Sequence, residues 1–360
     1  MYEKTIINFE TLKSVSDPMK NNINKSIIIW LFAGCFLIYV MVVIGGITRL
    51  THSGLSMVEW NMIVGSMPPI SDADWQVPFE KYKLSPEYQI INNQFSLNEF
   101  KSIYWWEFIH RMLGRTIGVL FLIPFFYFLL RKKFDKLFLK KMLVLLALGA
   151  LQGVLGWYMV YSGLQKEPHV SHYRLAAHLI SAFTVFGFTF WYALDLLYPK
   201  ILEESVTSKK VNRLTKITFG LIILQIIYGA FVAGLKAGLF YNSFPKMGTS
   251  FFPETIFSFE PFWKNFLENP AGVQFVHRYL AYVVVILVVF LWEAARKMEL
   301  TQLQRRATNF MVGVVCAQFT LGILTLLYAV PICLGVIHQT GAFILFASVL
   351  FFMHSLRKTA

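Results

Sequence analysis

Long apolar runs separated by polar connections dominate the chain. Each run is about 20 residues long, which is the length that an α-helix needs to cross the hydrocarbon core of a bilayer. Eight such runs occur, at about residues 27–47, 103–130, 142–162, 174–197, 214–235, 272–293, 308–330 and 333–355. The pattern predicts an all-α polytopic membrane protein with eight transmembrane helices.

The composition agrees with this prediction, because 56% of the 360 residues are hydrophobic and only 15% are charged. The net charge of +13 is concentrated in alternate connections, near residues 4–25, 131–141, 200–216, 296–306 and 357–358. Lysine and arginine enriched in this way mark cytoplasmic connections. The positive charge therefore indicates topology and no nucleic-acid site, and it predicts that both termini lie in the cytoplasm.

The segments outside the apolar runs set the domain organisation. Residues 1–26 contain Glu3, Glu10 and Asp17 and lack the pattern of a transit peptide or a cleavable signal, which favours a bacterial inner membrane. The predicted order is a cytoplasmic N-terminal segment at 1–26, a first half at 27–198, a cytoplasmic linker at 199–213 and a second half at 214–356.

Two long connections, 48–102 and 236–270, fall on the side opposite the positive charges. Connections of this length are either functional or disordered. Their aromatic residues argue against disorder: Trp60, Trp75, Phe79, Phe251, Phe252 and Trp263. We expect packed loops that include short helices.

An internal repeat relates the two halves. The stretch from Trp105 to Gly114, which contains Glu107-Phe108-Ile109-His110-Arg111, returns as Gln274-Phe275-Val276-His277-Arg278. Gly45-Gly46 is matched by Gly229-Ala230, and a glutamine precedes a glycine by four residues at 152, 225 and 318. Because each half has an even number of spans, the repeat predicts two similarly oriented four-helix bundles related by a pseudo-two-fold axis along the membrane normal.

The four even-numbered spans each carry one histidine near the end that adjoins the long connections: His110, His178, His277 and His338. Ionisable groups inside a membrane are costly and mark functional sites. Two inward-facing imidazoles from neighbouring helices form a haem-ligation pattern, which pairs His110 with His178 and His277 with His338. The alternative to a haem site is that these histidines form hydrogen bonds between helices. A zinc or copper site would need acidic or sulfur ligands, which are scarce at this depth.

Glu107 distinguishes the halves. It lies three residues before His110 and therefore shares its helix face, whereas the second half has the neutral Gln274. A carboxylate beside a metal ligand commonly adjusts the charge of the site. The alternative is that Glu107 lies in water at the membrane interface. We interpret the first half as the reactive site and the second as an auxiliary or electron-transfer haem site.

Five arginines near the same boundary are candidates to bind haem propionates through paired hydrogen bonds: Arg49, Arg111, Arg115, Arg174 and Arg278. Anchoring to lipid headgroups or to the loops is the alternative. The other histidines (His52, His169, His172 and His354) are expected in solvent. Cys316 and Cys333 differ in depth by roughly 20 Å at 1.5 Å per helical residue, too far for a disulfide.

The stretch Gly45-Gly46-Ile47-Thr48-Arg49-Leu50-Thr51-His52-Ser53-Gly54-Leu55-Ser56-Met57, together with Glu107-x-x-His110-Arg111 and its echo at His277-Arg278, closely resembles haem A synthases. The similarity extends from about residue 27 to 356. The long connections lack cysteine pairs, so the chain resembles the branch shared by alphaproteobacteria and mitochondria.

The resemblance implies oxidation of the methyl group at position 8 of haem O to a formyl group, through hydroxylated intermediates, to give haem A for terminal oxidases. It implies that His110 and His178 face the substrate haem O, that Glu107 is essential, and that His277 and His338 hold a haem b that relays electrons. The sites would lie toward the periplasmic side. Haem O synthase and oxidase assembly factors are candidate partners, and homo-oligomerisation and the electron donor stay open.

Two other functions remain as alternatives. A bis-histidine dihaem membrane cytochrome would only transfer electrons, and it predicts equivalent halves. A haem transporter would show broken helices near the midplane. Haem A synthesis leaves a chemical question, since two axial histidines fill the iron's coordination positions. Either one ligand is released, or the ring is oxidised without oxygen binding at its own iron.

Overall fold

Eight long helices make up most of the chain. The computed structural model describes residues 18–59, 67–165, 170–198 and 208–357. The long helices are α1 (Pro18–Leu50), α4 (Leu97–Leu130), α5 (Lys136–Gly163), α6 (His172–Leu197), α7 (Lys209–Gly234), α8 (Pro270–Arg296), α9 (Gln302–Leu327) and α10 (Ile332–Ser355). All eight are long and apolar enough to cross a membrane, and the described ranges contain no β-strand. The prediction of an all-α protein with eight spans is confirmed.

The two long connections contain short helices, as expected. The first includes α2 (Asp72–Lys83) and α3 (Pro86–Ile90), and the second includes three 3₁₀ helices, Ala237–Leu239, Glu254–Phe257 and Phe262–Phe266. Tyr82 of α2 is fully buried against Phe100 of α4, with ring centroids 5.0 Å apart. We call the end of the bundle that carries these connections the long-loop face. Trp60 lies outside the described residues.

Local sequence fixes where several helices begin. Ser96 accepts a hydrogen bond from the Glu99 main-chain N–H, and the Glu99 carboxylate accepts one from the Ser96 N–H, so the two residues form a capping box at the start of α4. Asp135 caps α5 through the Phe138 N–H. Asn269 caps α8, which has Pro270 at its first position, where a missing N–H costs nothing.

The long helices pack in an order that recurs along the chain. In residues 27–198, α1 contacts α4 and α6, and α5 contacts α6. In residues 214–356, α7 contacts α8 and α10, and α9 contacts α10. Contacts between α6 and α7 and between α1 and α10 join the two sets. The largest apolar core lies at this junction and includes Phe183, Phe186, Phe343 and Phe346.

A tryptophan compensates for a proline inside α4. Pro124 has no N–H to donate to the carbonyl of Leu120, and an unpaired carbonyl is costly in a bilayer. The indole Nε1 of Trp30 in α1 donates to that Leu120 carbonyl at 3.0 Å. The pair therefore ties α1 to α4 at a point where α4 cannot satisfy its own backbone.

A cluster of charges joins three helices at the end opposite the long-loop face. Asp195 of α6 accepts hydrogen bonds from Lys141 Nζ of α5 at 2.8 Å and from Arg357 Nη1 at 2.7 Å, and His354 Nε2 of α10 lies 3.0 Å away. His354 is only 2% exposed. The expectation that His354 lies in solvent is wrong, because the aspartate supplies a partner inside the bundle.

Replacing Asp195 with Asn is expected to lower the stability of the folded protein by about 1.5–3 kcal/mol, because the buried His354 and the partly buried Lys141 lose a charged partner. Thermal unfolding in detergent, followed by circular dichroism, measures the effect. Glu293→Gln is the control, since Glu293 and Arg296 form an exposed pair at 3.3 Å that contributes little. Equal melting temperatures for wild type and Asp195→Asn would contradict a structural role for the cluster.

The three cysteines are free, as predicted. Cys35 is buried, whereas Cys316 and Cys333 are exposed on the surface of the helix bundle. Disulfide chemistry among the described residues therefore plays no part in the site described next.

Candidate functional site

The four predicted histidines line one cavity of about 2170 Å³ that extends through both sets of helices. Ligand cavities of drug size typically have volumes of about 300–1,000 Å³, so there is room for two large planar molecules. Its other lining residues are mainly apolar side chains and glycines of the long helices.

Each histidine ring packs against a glycine of a neighbouring helix, which we call its glycine seat. A Cβ atom added to these glycines would lie only 2.9 to 3.4 Å from an imidazole atom. The pairs are Gly45 with His110, Gly156 with His178, Gly229 with His277, and Gly322 with His338. Sequence reasoning found the glycines in register but missed this role. The constant spacing of three of them (Gly156, Gly229 and Gly322) from a preceding glutamine was the available signal.

The histidines of both predicted pairs line the same cavity, His110 on α4 with His178 on α6 and His277 on α8 with His338 on α10. Their pairing stays a prediction. The Nδ1 atoms of His178 and His338 are buried and have no hydrogen-bond partner among the described residues. Groups of three or more histidine, cysteine, aspartate or glutamate side chains suited to a metal ion are not found in the described part of the chain. A large apolar cavity lined by four imidazoles fits haem, which these histidines would hold and which would supply a redox-active iron.

Glu107 is buried at the long-loop face of the cavity and is 2% exposed. Its Oε2 accepts hydrogen bonds from the Ser56 hydroxyl at 2.8 Å and from the Met57 main-chain N–H at 2.7 Å. Its Oε1 accepts from Arg111 Nη2 at 2.5 Å. All three partners donate, which suits an ionised carboxylate. The alternative interpretation of Glu107 as an interfacial glutamate in water is therefore wrong.

Arg111 continues the contact between α4 and the first long connection. Its guanidinium donates to the carbonyl oxygens of Met57 at 2.7 Å and Glu59 at 2.8 Å. Together, Glu107 and Arg111 hold residues 56–59 over the cavity. Sequence reasoning missed Ser56 and Met57 as partners of Glu107, because nothing local in the chain relates positions about fifty residues apart.

Gln274 and Arg278 make equivalent contacts to the second long connection. Gln274 Nε2 donates to the Tyr241 carbonyl at 3.1 Å, and Arg278 Nη2 donates to the Ser243 carbonyl at 2.5 Å. Arg278 Nη1 is buried without a hydrogen-bond partner among the described residues. Arg278 also lines the cavity, so this nitrogen suits an acidic group of a ligand.

The remaining arginines differ in what they contact. Arg49 lines the cavity but donates to the Ala233 carbonyl at 2.7 Å, at the end of α7. Arg115 lines the cavity beside Met112, whose sulfur lies 3.2 Å from Nη1. Arg174 does not line it, and its guanidinium lies 5.2 Å from the centre of the Tyr158 ring. Among the other histidines, His52 is exposed, His172 is half-buried against Phe231, and His169 lies outside the described residues.

The wall of the cavity differs between its two ends. α4 and α5 touch at few places, whereas α8 and α9 pack along each other. Three glycines line the α4–α5 side, and a Cβ added to any of them would meet no atom within 4 Å: Gly118, Gly149 and Gly153. In the repeat, Phe319 corresponds to Gly153, and its ring packs 5.2 Å from that of Tyr282. The cavity wall beside His110 and His178 is therefore more open between its helices than the wall beside His277 and His338.

Glu87 of α3 adds a second buried carboxyl to the long-loop face. It is 6% exposed and lines the cavity, and the Tyr82 hydroxyl donates to it at 3.1 Å. Desolvation by burial raises the pKa of Glu87 from 4.5 to about 7, and the charge of Glu107 adds to the increase. Glu87 therefore holds its proton in the folded state over a pH range where the unfolded chain has lost it.

The sign of the resulting pH dependence follows from the raised pKa. The folded state binds the extra proton, so this contribution to stability is fully present below about pH 4.5 and is lost as pH rises through about 7. Hydrogen exchange of residues 67–96 is expected to quicken between about pH 5 and pH 8, beyond the intrinsic pH effect. Glu87→Gln should remove this extra pH dependence of hydrogen exchange. If the variant showed the same pH dependence as the wild type, Glu87 would not be its source.

Comparison with known proteins identifies the chain's relatives. The profile of the COX15-CtaA family, described as cytochrome oxidase assembly protein, matches residues 28–350. A curated haem A synthase of Flavobacterium psychrophilum is 51% identical over 94% of this chain and 100% of the relative. The haem A synthase COX15 of Arabidopsis thaliana is 45% identical over 92% of this chain and 74% of the relative. The haem A synthase of Wolbachia pipientis wMel is 44% identical, covering 93% of both chains. The chain therefore belongs to the COX15-CtaA family of haem A synthases.

Proposed function

We propose that this membrane enzyme converts haem O into haem A by oxidising the methyl group at position 8 to a formyl group through hydroxylated intermediates. The observation that carries the proposal is the set of four glycine-seated histidines that line one large apolar cavity. Bound haem supplies redox-active iron that the protein's side chains cannot provide. The side chains bind and orient it and control charge near the reacting methyl group.

The first half, 27–198, is proposed to hold the substrate, and the second half, 214–356, to hold a resident haem b. A substrate must be exchanged at every turnover, and in the described residues the His110–His178 end is the more open of the two between its helices. The ring of Phe319 covers the corresponding place in the second half, which suits a haem that stays bound to His277 and His338. A dihaem cytochrome with equivalent halves would not require this difference.

Glu107 is proposed to stabilise positive charge or to accept a proton as the methyl group is oxidised. Conversion of a methyl to a formyl group removes four electrons and four protons and adds the oxygen atom of water or its equivalent. Glu107 is the carboxylate on the helix face of His110 and lines the cavity. Arg111 faces Glu107 and orients it, while the fixed segment 56–59 keeps water from the site.

Arginine contacts to propionates are proposed for Arg278 in the second half, with its partnerless buried nitrogen, and for Arg115 in the first. The contacts of Arg49 and Arg111 with carbonyl oxygens favour a role in holding the helices and the loop. For Arg174 the ring contact with Tyr158 favours packing.

The protein is proposed to reside in a bacterial inner membrane, with both termini in the cytoplasm and the long-loop face toward the periplasm. The alternation of lysine- and arginine-rich connections supports this orientation. Haem O synthase and oxidase assembly factors are proposed partners, because haem O and haem A are too apolar to cross water freely.

The test is to purify the protein from cells that also make haem O, extract the bound haems and identify them by mass. Haem A or its hydroxylated precursor, together with haem B, is the expected result. Two haem B molecules per chain, with no conversion of supplied haem O, would support an electron-transfer cytochrome instead.

A further inference from the structure

Glutamines donate hydrogen bonds to two of the four histidine-bearing helices, and a third glutamine packs against another of them. Gln152 Nε2 donates to the main-chain carbonyl of His178 at 3.1 Å, and Gln225 Nε2 donates to that of His277 at 3.0 Å. The same Gln225 nitrogen lies 3.2 Å from Nδ1 of the His277 ring. Gln318 packs against Gly341, less than one turn beyond His338.

The fourth histidine has a methionine in this place. In α5, α7 and α9 the glutamine precedes the glycine that seats the histidine by four residues, and in α1 the residue four before Gly45 is Met41. The Met41 methyl lies 3.4 Å from the position of a Cβ on Gly114, one turn beyond His110. Met41 therefore occupies the position of the glutamine, but a thioether has no hydrogen to donate.

His110 is consequently less restrained than His178, the other histidine of the first half. No hydrogen bond reaches its ring from any residue in the described ranges, and its carbonyl has no glutamine partner. Hydrogen-bond partners that orient a ligating histidine typically raise metal affinity by about 10- to 100-fold. Gln152 makes this bond to His178 and Gln225 makes it to His277, whereas no hydrogen bond from a glutamine reaches His110 in the described ranges. Within the proposed substrate site, His110 is therefore the more weakly held histidine.

We infer that Met41 makes His110 the exchangeable ligand of the substrate haem, and that His110 yields its coordination position while His178 stays bound. The inference rests on the proposed function, because it requires haem O between His110 and His178. It explains how the iron at one site could offer an open coordination position although each haem site has two histidines. Met41 is thus a positioning residue that acts through the α4 turn carrying His110.

Met41→Gln tests the inference with little change in side-chain size. The readout is the optical difference spectrum on adding carbon monoxide to the reduced, haem O-loaded protein, since carbon monoxide requires a coordination position that a histidine vacates. We expect Met41→Gln to weaken carbon monoxide binding by at least about 10-fold at unchanged haem O content. Gln225→Met, the corresponding change in the second half, is expected to create carbon monoxide binding at the haem b.

Carbon monoxide binding decides the outcome. The inference would be overturned if Met41→Gln bound carbon monoxide as strongly as the wild type does. It would also be overturned if Gln225→Met gained no carbon monoxide binding. Failure of the wild type to produce haem A is a separate result that would overturn the proposed function. The spectra of the loaded proteins do not depend on turnover, so the two failures are distinguishable.

Discussion

Glu107→Gln is expected to lower haem A formation by at least about 100-fold, the lower end of the effect of a positioned acid or base. The substitution removes the negative charge and places an amide N–H₂ among three donors, Ser56, Met57 and Arg111. The amide N–H₂ then faces at least one of these donors. The negative charge at position 107 is lost, and residues 56–59 lose their fixed position. Haem A formed per minute from supplied haem O is the measurement.

Glu99→Gln is the matched control for Glu107→Gln. Glu99 lies on the same helix but in an exposed capping box, where glutamine is an accepted replacement, so activity should stay close to that of the wild type. Haem content of both variants is measured in parallel. A Glu107→Gln enzyme that turns over at the wild-type rate with normal haem content would show that the carboxylate has no role in the oxidation.

Gly153→Phe is expected to reduce haem O loading of the first half by about 10- to 100-fold, from an overpacking cost of about 1–3 kcal/mol. The new ring would fill the opening between α4 and α5, as Phe319 does between α8 and α9. A Cβ at Gly153 meets no atom within 4 Å, so the chain should fold normally. Titration of the purified protein with haem O measures the loading.

Phe319→Gly is the reciprocal variant. It removes a ring that packs against Tyr282 and Phe244 and opens the second half in the same place. Haem b should then dissociate faster, as followed by transfer to an acceptor protein such as apomyoglobin. Normal haem O loading in Gly153→Phe would show that the substrate uses another route.

The helices and the histidine positions were predictable from the sequence because each depends on local information. Apolar length defines a span, and an ionisable residue within a span stands out against it. The pairing of His110 with His178, predicted from the repeat, stays a prediction. These features need no knowledge of loop structure.

Features that depend on contacts between distant segments were not predictable. The partners of Glu107 come from a connection whose path is determined by its own aromatic packing around Tyr82 and Phe100. His354 was placed in solvent because its position near a helix end gave no hint of Asp195, 159 residues earlier. The meaning of Met41 likewise appears only when the four glycine seats are seen in space.

The most direct test of two haem sites with different roles is the haem content of His110→Ala and His277→Ala, measured by extraction and mass. We expect His110→Ala to keep haem B and to form no haem A. We expect His277→Ala to lose haem B while its first half still takes up haem O. The reverse pattern, with haem B lost from His110→Ala and retained in His277→Ala, would contradict the assignment of the halves.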